Sequence, residues 1–371
     1  MKKLMLTTAM VSVITTAAIA QTTITGELRI SGTMLNAEKG FASTSGTSNS
    51  SYGMGSEQQI NIQTKGKLNL GGLDYAAGFS IENDGDQATT IFNENTFIDI
   101  TASSGTTLSL SRDHIQRSDT DFAATNLVGF SANELSQTGT TTNQSTRFKQ
   151  NIGAAPGQSF GAALLQKTPV GTFSYNYVPN NGGVASGALS TTSGDAAGTS
   201  SSEAVSANTT SAYEYGFLGD LGVKGLTVHY FKNANEGHVT AANAIKAEGK
   251  NYGVKYNFGQ VTVGANKKKH QAEVTQTAFD STAVGTGNAE ITETAYAVAY
   301  AVNKDVTVGL LYAKAEQDKL VSSADQKVKA INIGYALGPV DLAVGYAKNT
   351  DLGGIVGNDG DHFIARFIGK F

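Results

Sequence analysis

DHFIARFIGKF, residues 361–371, ends the chain on a bare phenylalanine, with bulky apolar residues recurring along one face. In a strand, successive side chains point to opposite faces. Phe363, Ala365, Phe367, Gly369 and Phe371 therefore share one face, and His362, Ile364, Arg366, Ile368 and Lys370 the other. The last residues of a water-soluble domain commonly fray, yet this pattern holds to the final position. The fold turns on which solvent meets the aromatic face.

The same two-residue period recurs through most of the chain. ITGELRISG (24–32) sets Ile24, Leu28 and Ile30 against Glu27, Arg29 and Ser31. QQINIQTKGKL (58–68) and LDYAAGFSIE (73–82) alternate likewise, as do shorter runs near 96–102, 107–113, 160–169, 173–178, 212–217, 226–231, 251–258, 261–266, 295–302, 306–312, 330–337 and 340–347. That gives about 16 strands of about 8–11 residues, the length of a tilted membrane-crossing strand. Alternation alone fits a half-buried strand of a soluble sandwich as well as a lipid-facing one.

Connector lengths separate the two. NLGG (69–72), SSG (103–105), VG (170–171), GDLGVKG (219–225), GQ (259–260), NKD (303–305) and GP (338–339) are short. They alternate with long polar stretches, Leu35–Glu57, Asn83–Asn95, 114–159, 179–211, 233–250, 269–290, 316–326 and 349–360. Strict alternation collects every long loop at one end. This is the layout of an outer-membrane barrel with short periplasmic turns and long external loops. Tyr213, Tyr215, Tyr252, Tyr256, Tyr296, Tyr300, Tyr335 and Tyr346 fall on the expected outward face, as interfacial girdles require. The expected fold class is thus an all-β transmembrane antiparallel barrel of 16 strands.

Composition agrees. Among 371 residues there are 43 Gly, 4 Pro and no Cys or Trp, and only 16% are charged, against about 25% in soluble domains. Without Cys there are no disulfides or thiolate metal sites. The formal charge of −4 carries no nucleic-acid footprint. Residues 1–20, MKKLMLTTAMVSVITTAAIA, pair Lys2 and Lys3 with an apolar run and an Ala18-Ile19-Ala20 cleavage pattern, so a cleaved signal peptide is expected and the barrel domain spans 21–371. Losing two lysines takes the charge from −4 to −6.

The signal sequence, the opening ITGELRISG, the terminal IARFIGKF and the loop alternation resemble the general diffusion porins of Gram-negative bacteria, of the alphaproteobacterial type. The resemblance covers 21–371. It implies a homotrimer of 16-stranded water-filled channels in the outer membrane, among its lipids, passing small hydrophilic solutes and ions passively. It also implies a third external loop, here 113–159, folded into the lumen. The loop's acidic residues would face a basic wall across a constriction, and the terminal strand would serve as the insertion signal. On the matching positions the acids are Asp113, Asp119, Asp121 and Glu134, and the wall bases Arg29, Lys65, Lys67 and Arg366. Arg117, Arg147 and Lys149 depart from that pattern by adding positive charge to the loop.

Further lumen acids are expected at Glu27, Asp74, Glu82, Asp99 and Asp341; this balance argues against strong ion selectivity, with the net charge leaning to cations. No cofactor is expected. Ca²⁺ is the one metal alternative, at Asp119 and Asp121 or at either of two NDGD stretches, whose Asp and Asn could offer oxygens. NDGD occurs in 82–87 and in 357–362, where Asp-Gly reads first as a turn. Catalysis is not expected. His114, His229, His238, His270 and His362 lie in separate segments, and no H-E-x-x-H, G-x-S-x-G or P-loop occurs. KKKH (267–270) is a basic run at a strand end, read as a solvated loop base or a contact for lipid phosphates. The Gly/Ser/Thr/Ala-rich stretch 180–210 reads as an exposed loop. It would be the binding element if the chain were instead an adhesin-like surface barrel or sandwich.

Overall fold

The computed structural model describes residues 21–38, 49–84, 92–112, 124–136, 148, 160–178, 211–236, 246–273, 288–318, 324–354 and 356–371. Sixteen antiparallel strands close into one barrel in chain order: β1 (Gln21–Ala37), β2 (Asn49–Lys67), β3 (Asp74–Asp84), β4 (Phe92–Thr101), β5 (Thr106–Arg112), β6 (Phe160–Thr168), β7 (Gly171–Val178), β8 (Ser211–Gly219), β9 (Leu226–Glu236), β10 (Lys246–Asn257), β11 (Val261–Glu273), β12 (Asn288–Ala301), β13 (Val306–Asp318), β14 (Gln326–Ala336), β15 (Val340–Thr350) and β16 (Gly360–Lys370). Closure removes every free sheet edge, which a strand in hydrocarbon requires because no water can satisfy its backbone. It also rules out the sandwich.

The seam joins β1 to β16, with Glu27 opposite Lys370 and Ala37 opposite Gly360. Pairing runs one residue past the strand. The Gly26 N–H donates to the Phe371 carbonyl at 2.7 Å, and the Phe371 N–H donates back at 3.0 Å. The Phe371 ring lies where a Cβ on Gly26 would stand, 2.3 Å from two ring carbons. An aromatic ring laid over a cross-strand glycine covers backbone that would otherwise be bare. The terminal phenylalanine thus completes the outward wall.

Register carries one face around the ring. Outward residues are exposed, among them Ile24, Leu28, Ile98, Leu110, Leu164, Tyr296, Leu310, Ile331, Phe363 and Phe367. All the tyrosines expected outward are so placed; Tyr213, opposite the outward Tyr177, is half-exposed because it stacks on Tyr215. The short turns fall at one end together with Gln21 and Phe371. At one of them Gly71 and Gly72 both take positive φ, 63° and 73°, a conformation cheap only for glycine.

Strands run further toward the long-loop end than alternation indicates. β2 begins at Asn49, β11 continues to Glu273 and β12 begins at Asn288. Beyond the membrane both faces are wet, so hydropathy stops alternating while backbone pairing continues. One irregularity shifts register in the β3–β4 pair between Gly78 and Ser80.

The buried apolar cluster lies inside the barrel, on one side. Phe130, Leu135 and Phe148 from the β5–β6 connection pack on Ile291, Leu311, Ala313, Ala315, Val328, Ala330, Ala343, Ala347 and Ile364. These wall residues come from β12 to β16, and five of the nine are alanine.

Candidate functional site: the lumen and its inward segment

Residues 124–136 run along the inner wall of the barrel from β11 to β16. At one end the Ala124 N–H donates to Asn266 Oδ1 on β11 at 3.3 Å. At the other, Asn349 Nδ2 on β15 donates to the Leu135 carbonyl at 3.1 Å. Between them the wall is cut back to glycine. A Cβ on Gly264 would meet the Ala124 carbonyl at 2.1 Å, one on Gly309 would meet Val128 at 2.6 Å, and one on Gly345 would meet Leu135 at 2.9 Å and Phe130 at 3.0 Å. The segment answers with a glycine of its own. Gly129 takes φ 78° and would set a Cβ 2.8 Å from that of Ala343. Interiors are close-packed, so a methylene in such a contact must displace something.

The segment's short 3-10 turn, Glu134–Ser136, starts with a capping box. Glu134 Oε2 accepts from the Ser131 N–H at 2.7 Å and from Ser131 Oγ at 3.0 Å, while the Glu134 N–H reaches Ser131 Oγ at 3.4 Å. S-x-x-E is the sequence form of that reciprocal cap. The other carboxylate oxygen, Oε1, takes Arg366 Nη2 on β16 at 2.7 Å. Arg366 is then held on two further sides. Its Nε donates to Ser31 Oγ across the seam at 3.3 Å, and its guanidinium lies over the Phe130 ring at 5.0 Å. Side chains at this ion pair are 18% and 25% exposed, so it is shielded more than a surface pair.

The expected site residues divide by position. Glu134 and Arg366 touch, so this acid and this base form a clasp rather than facing each other across a gap. Arg29 lies between Glu27 and Glu57, bonded to both, with Nη1 3.0 Å from Glu57. Lys67 pairs with Asp74 at 2.8 Å, both well exposed, beside the β2–β3 turn. Lys65 is exposed two residues before it on the same face, so both lysines stand toward the short-turn mouth, away from the inward segment. Glu82 accepts from Gln59 Nε2 at 3.4 Å. Asp341 is 3.8 Å from Lys370 near the same mouth. Asp99 lines a cavity of about 310 Å³ with Thr107, Ser109, Lys167, Ser174 and Asn176, on the wall away from the inward segment. Asp113, Asp119 and Asp121 lie outside the described residues, and with them the candidate Ca²⁺ ligands and the stretch 180–210.

The second NDGD stretch is a turn. Asp359 Oδ1 accepts from the Asp351 N–H at 3.1 Å, and Asp351 Oδ1 accepts from the Gly357 N–H at 2.6 Å. The KKKH run is split by the strand period: Lys268 and His270 point inward and are buried, and Lys267 and Lys269 point outward. His270 Nε2 lies 2.8 Å from Glu293.

Sequence reasoning missed the wall residues that receive the segment: Gly264, Asn266, Gly309, Gly345 and Asn349. Their signal was present. In AYAVAYAV, AINIGYAL and VDLAVGYA the face opposite the tyrosines is Ala, Gly or Asn, apart from Asp341 at the short-turn end, smaller than a wet lumen needs. Inward charges at Lys167, Glu214, Lys255 and Glu293 were also overlooked.

A family model described as Gram-negative porin matches residues 7–354. A search of curated proteins found no relative. Among solved structures, an anion-selective porin from Comamonas acidovorans aligns with TM-score 0.63 at 15% identity, covering 95% of this chain and all of that one. OmpF of Salmonella typhi, in complex with daunomycin, aligns with TM-score 0.59 at 11% identity over 95% of this chain and 98% of that one. OmpT of Vibrio cholerae in its trimer form aligns with TM-score 0.58 at 11% identity over 95% and 99%. At such identities the likeness is one of fold.

Proposed function

The chain belongs to the Gram-negative porin family and is an outer-membrane channel for passive diffusion, and from that premise we propose that solutes pass between the inward segment 124–136 and the polar wall of β4 to β8. The observation that carries this reading is the segment's position: among the described residues it packs on the β11–β16 wall and contributes nothing to the cavity on the opposite wall. There Asp99 and Lys167 share one cavity with hydroxyls and an amide. Opposed charges with polar neighbours hold ordered water and favour small hydrophilic solutes over apolar ones. The Glu134–Arg366 clasp fixes the width of the passage, and the wall charges set its ion preference. Arg29, compensated by Glu27 and Glu57, contributes little to that preference.

Residues 1–20 act as a cleaved export signal, leaving 21–371 as the barrel, in keeping with the basic and apolar regions of that stretch. The subunits assemble as homotrimers through β1 to β4. The outward faces of these strands carry no charged side chain among the described residues, and Met34, Tyr52 and Met54 stand exposed there, 57%, 87% and 81%. The described outward faces of β6 to β8 lack charge too, so it is the unusually exposed Met34, Tyr52 and Met54 that single out this sector.

Planar-bilayer recording of the purified protein tests the channel. The expected result is stepwise, ohmic conductance. In a salt gradient, Asp99→Asn and Lys167→Gln are expected to shift the reversal potential in opposite directions, Asp99→Asn toward anions. Stepwise conductance with unmoved reversal potentials in both variants would refute the proposed path and leave the channel itself intact.

A further inference from the structure

The lumen cavity that Asp99 and Lys167 share is built in rungs, because each inward residue faces another across the next strand. One rung runs Asp99, Ser109, Ala163 and Asn176 over β4 to β7. The next, toward the short turns, runs Thr107, Leu165 and Ser174. The last runs Lys167, Thr172 and Leu218. All of them line the cavity, and Phe231 on β9 closes it. The Phe231 ring lies where a Cβ on Gly216 would stand, 2.3 Å from a ring carbon. The cavity volume, about 310 Å³, is at the lower end of ligand pockets, which span about 300–1,000 Å³.

Asp99 and Lys167 carry opposite charges in one cavity without forming an ion pair. Their rungs lie four residues apart along the strand, about 13 Å, and β5 stands between their strands. Lys167 is exposed and has no ion-pair partner among the described residues. The acidic end is reinforced by Glu214, which follows Asn176 in the same rung, is buried, and accepts from Asn176 Nδ2 at 3.1 Å. Hydroxyls fill the space between the two ends, from Thr107, Ser109, Thr172 and Ser174. The Ser109 hydroxyl is buried and has no hydrogen-bond partner among the described residues. A buried polar group left in that state costs free energy until a further group bonds to it. Leu165, Leu218 and Phe231 add an apolar patch beside the hydroxyls.

We infer that this cavity binds short zwitterionic peptides, of two or three residues, in transit through the channel; the inference rests on the proposed path along this wall. The peptide's ammonium group meets Asp99, its carboxylate meets Lys167, and its amides meet the hydroxyls between. At about 3.3–3.6 Å per extended residue, its two ends lie about 7–10 Å apart. The flexible lysine stem closes the rest of the separation. A free amino acid is too short to touch both ends. A neutral sugar would use the hydroxyls and leave both charges without a counter-charge. An apolar side chain on the peptide packs on Leu165, Leu218 and Phe231.

Planar-bilayer recording of the purified protein with Ala-Leu-Ala added on one side tests the site. The peptide is expected to interrupt the ion current in resolved events whose frequency saturates with concentration. Asp99→Asn is expected to weaken this block about tenfold, and Lys167→Gln, at a more exposed position, about fivefold. N-acetyl-Ala-Leu-Ala-amide has the same core without end charges, and is expected to block on the order of 50-fold more weakly. Equal block by the free and the capped peptide, or by maltotriose, overturns the inference. So does a block that rises linearly with peptide concentration and never saturates. Reversal potentials in the same variants separate the site from the path. If both variants shift them while Ala-Leu-Ala gives no block, the path stands and the peptide site falls.

Discussion

At the scale of the residue, Arg366 and Phe371 show how opposite faces of one strand take on separate tasks. Arg366 looks inward and ties three elements together, through Glu134, Ser31 and Phe130. A hydrogen bond to a charged group contributes about 1.5–3 kcal/mol, so Arg366→Met is expected to release the 3-10 turn and give flickering, larger conductance steps. Glu134→Gln, which keeps the shape and the bond from Ser131, is expected to do so less. Matching single-channel traces from wild type and Arg366→Met would show that the clasp does not hold the passage. Phe371 looks outward and lies over Gly26. Phe371→Ser removes that cover and the seam's last apolar contact. The expected outcome is less assembled barrel in the outer-membrane fraction, with a lower unfolding temperature for what assembles. Normal yield and temperature would argue that the backbone bonds between Gly26 and Phe371 suffice.

At the scale of the element, the segment 124–136 and the wall of β11 to β16 were shaped together. Glycine on a strand weakens it and often marks close approach of another backbone. Here Gly264, Gly309 and Gly345 each mark such a place. Gly309→Leu is expected to drive Val128 off the wall, at about 1–3 kcal/mol of overpacking strain. Because the barrel is held by sixteen paired strands, the element that yields is the segment. Conductance should change while heat-resistant mobility on gels stays the same. A lost barrel with no conducting species would mean instead that the wall itself cannot take the residue. The same logic explains the alanine-rich inner faces of β12 to β15. Sequence alternation between tyrosine and alanine reads as a strand with one weakly apolar face, and only the presence of a second layer explains why that face is small.

At the scale of the whole molecule, the outer surface is divided into sectors. The described outward residues of β1 to β4 carry no charge, and β8 to β15 carry tyrosines at both levels, with lysines at one level on β9 to β15. A lysine introduced at Leu28 places a charge in the first sector. Toward lipid such a charge costs about 2–4 kcal/mol near the midplane, and in a subunit contact it leaves an unpaired buried ion. Leu28→Lys is expected to shift the protein from trimer to monomer on native gels. The equivalent change at Leu310, on the lipid-facing sector, is expected to lower stability without changing the oligomer. Equal oligomer content in both variants would contradict assembly through β1 to β4.

Strand count, the facing of each strand and the sorting of long and short connectors were legible in the sequence because each depends on neighbours a few residues apart. Alternation fixes which side chains share a face, and closure then forces β1 beside β16. That is why the terminal Phe363, Phe367 and Phe371 could be assigned to the lipid side from eleven residues. Strand ends were not legible, since the period fades where both faces meet water. The partners of the inward segment were decided only by the tertiary structure. Ala124 meets Asn266 and Leu135 meets Asn349 over separations of 142 and 214 residues, and Arg366 reaches Ser31 over 335. Such contacts depend on three-dimensional shape, a glycine facing a valine or an amide facing a carbonyl, and no local period encodes them. Sequence pattern alone assigned acid to the loop and base to the wall. Folding brought Glu134 and Arg366 into contact, because the cut-back wall lets the segment lie flat against β16 instead of across the open lumen.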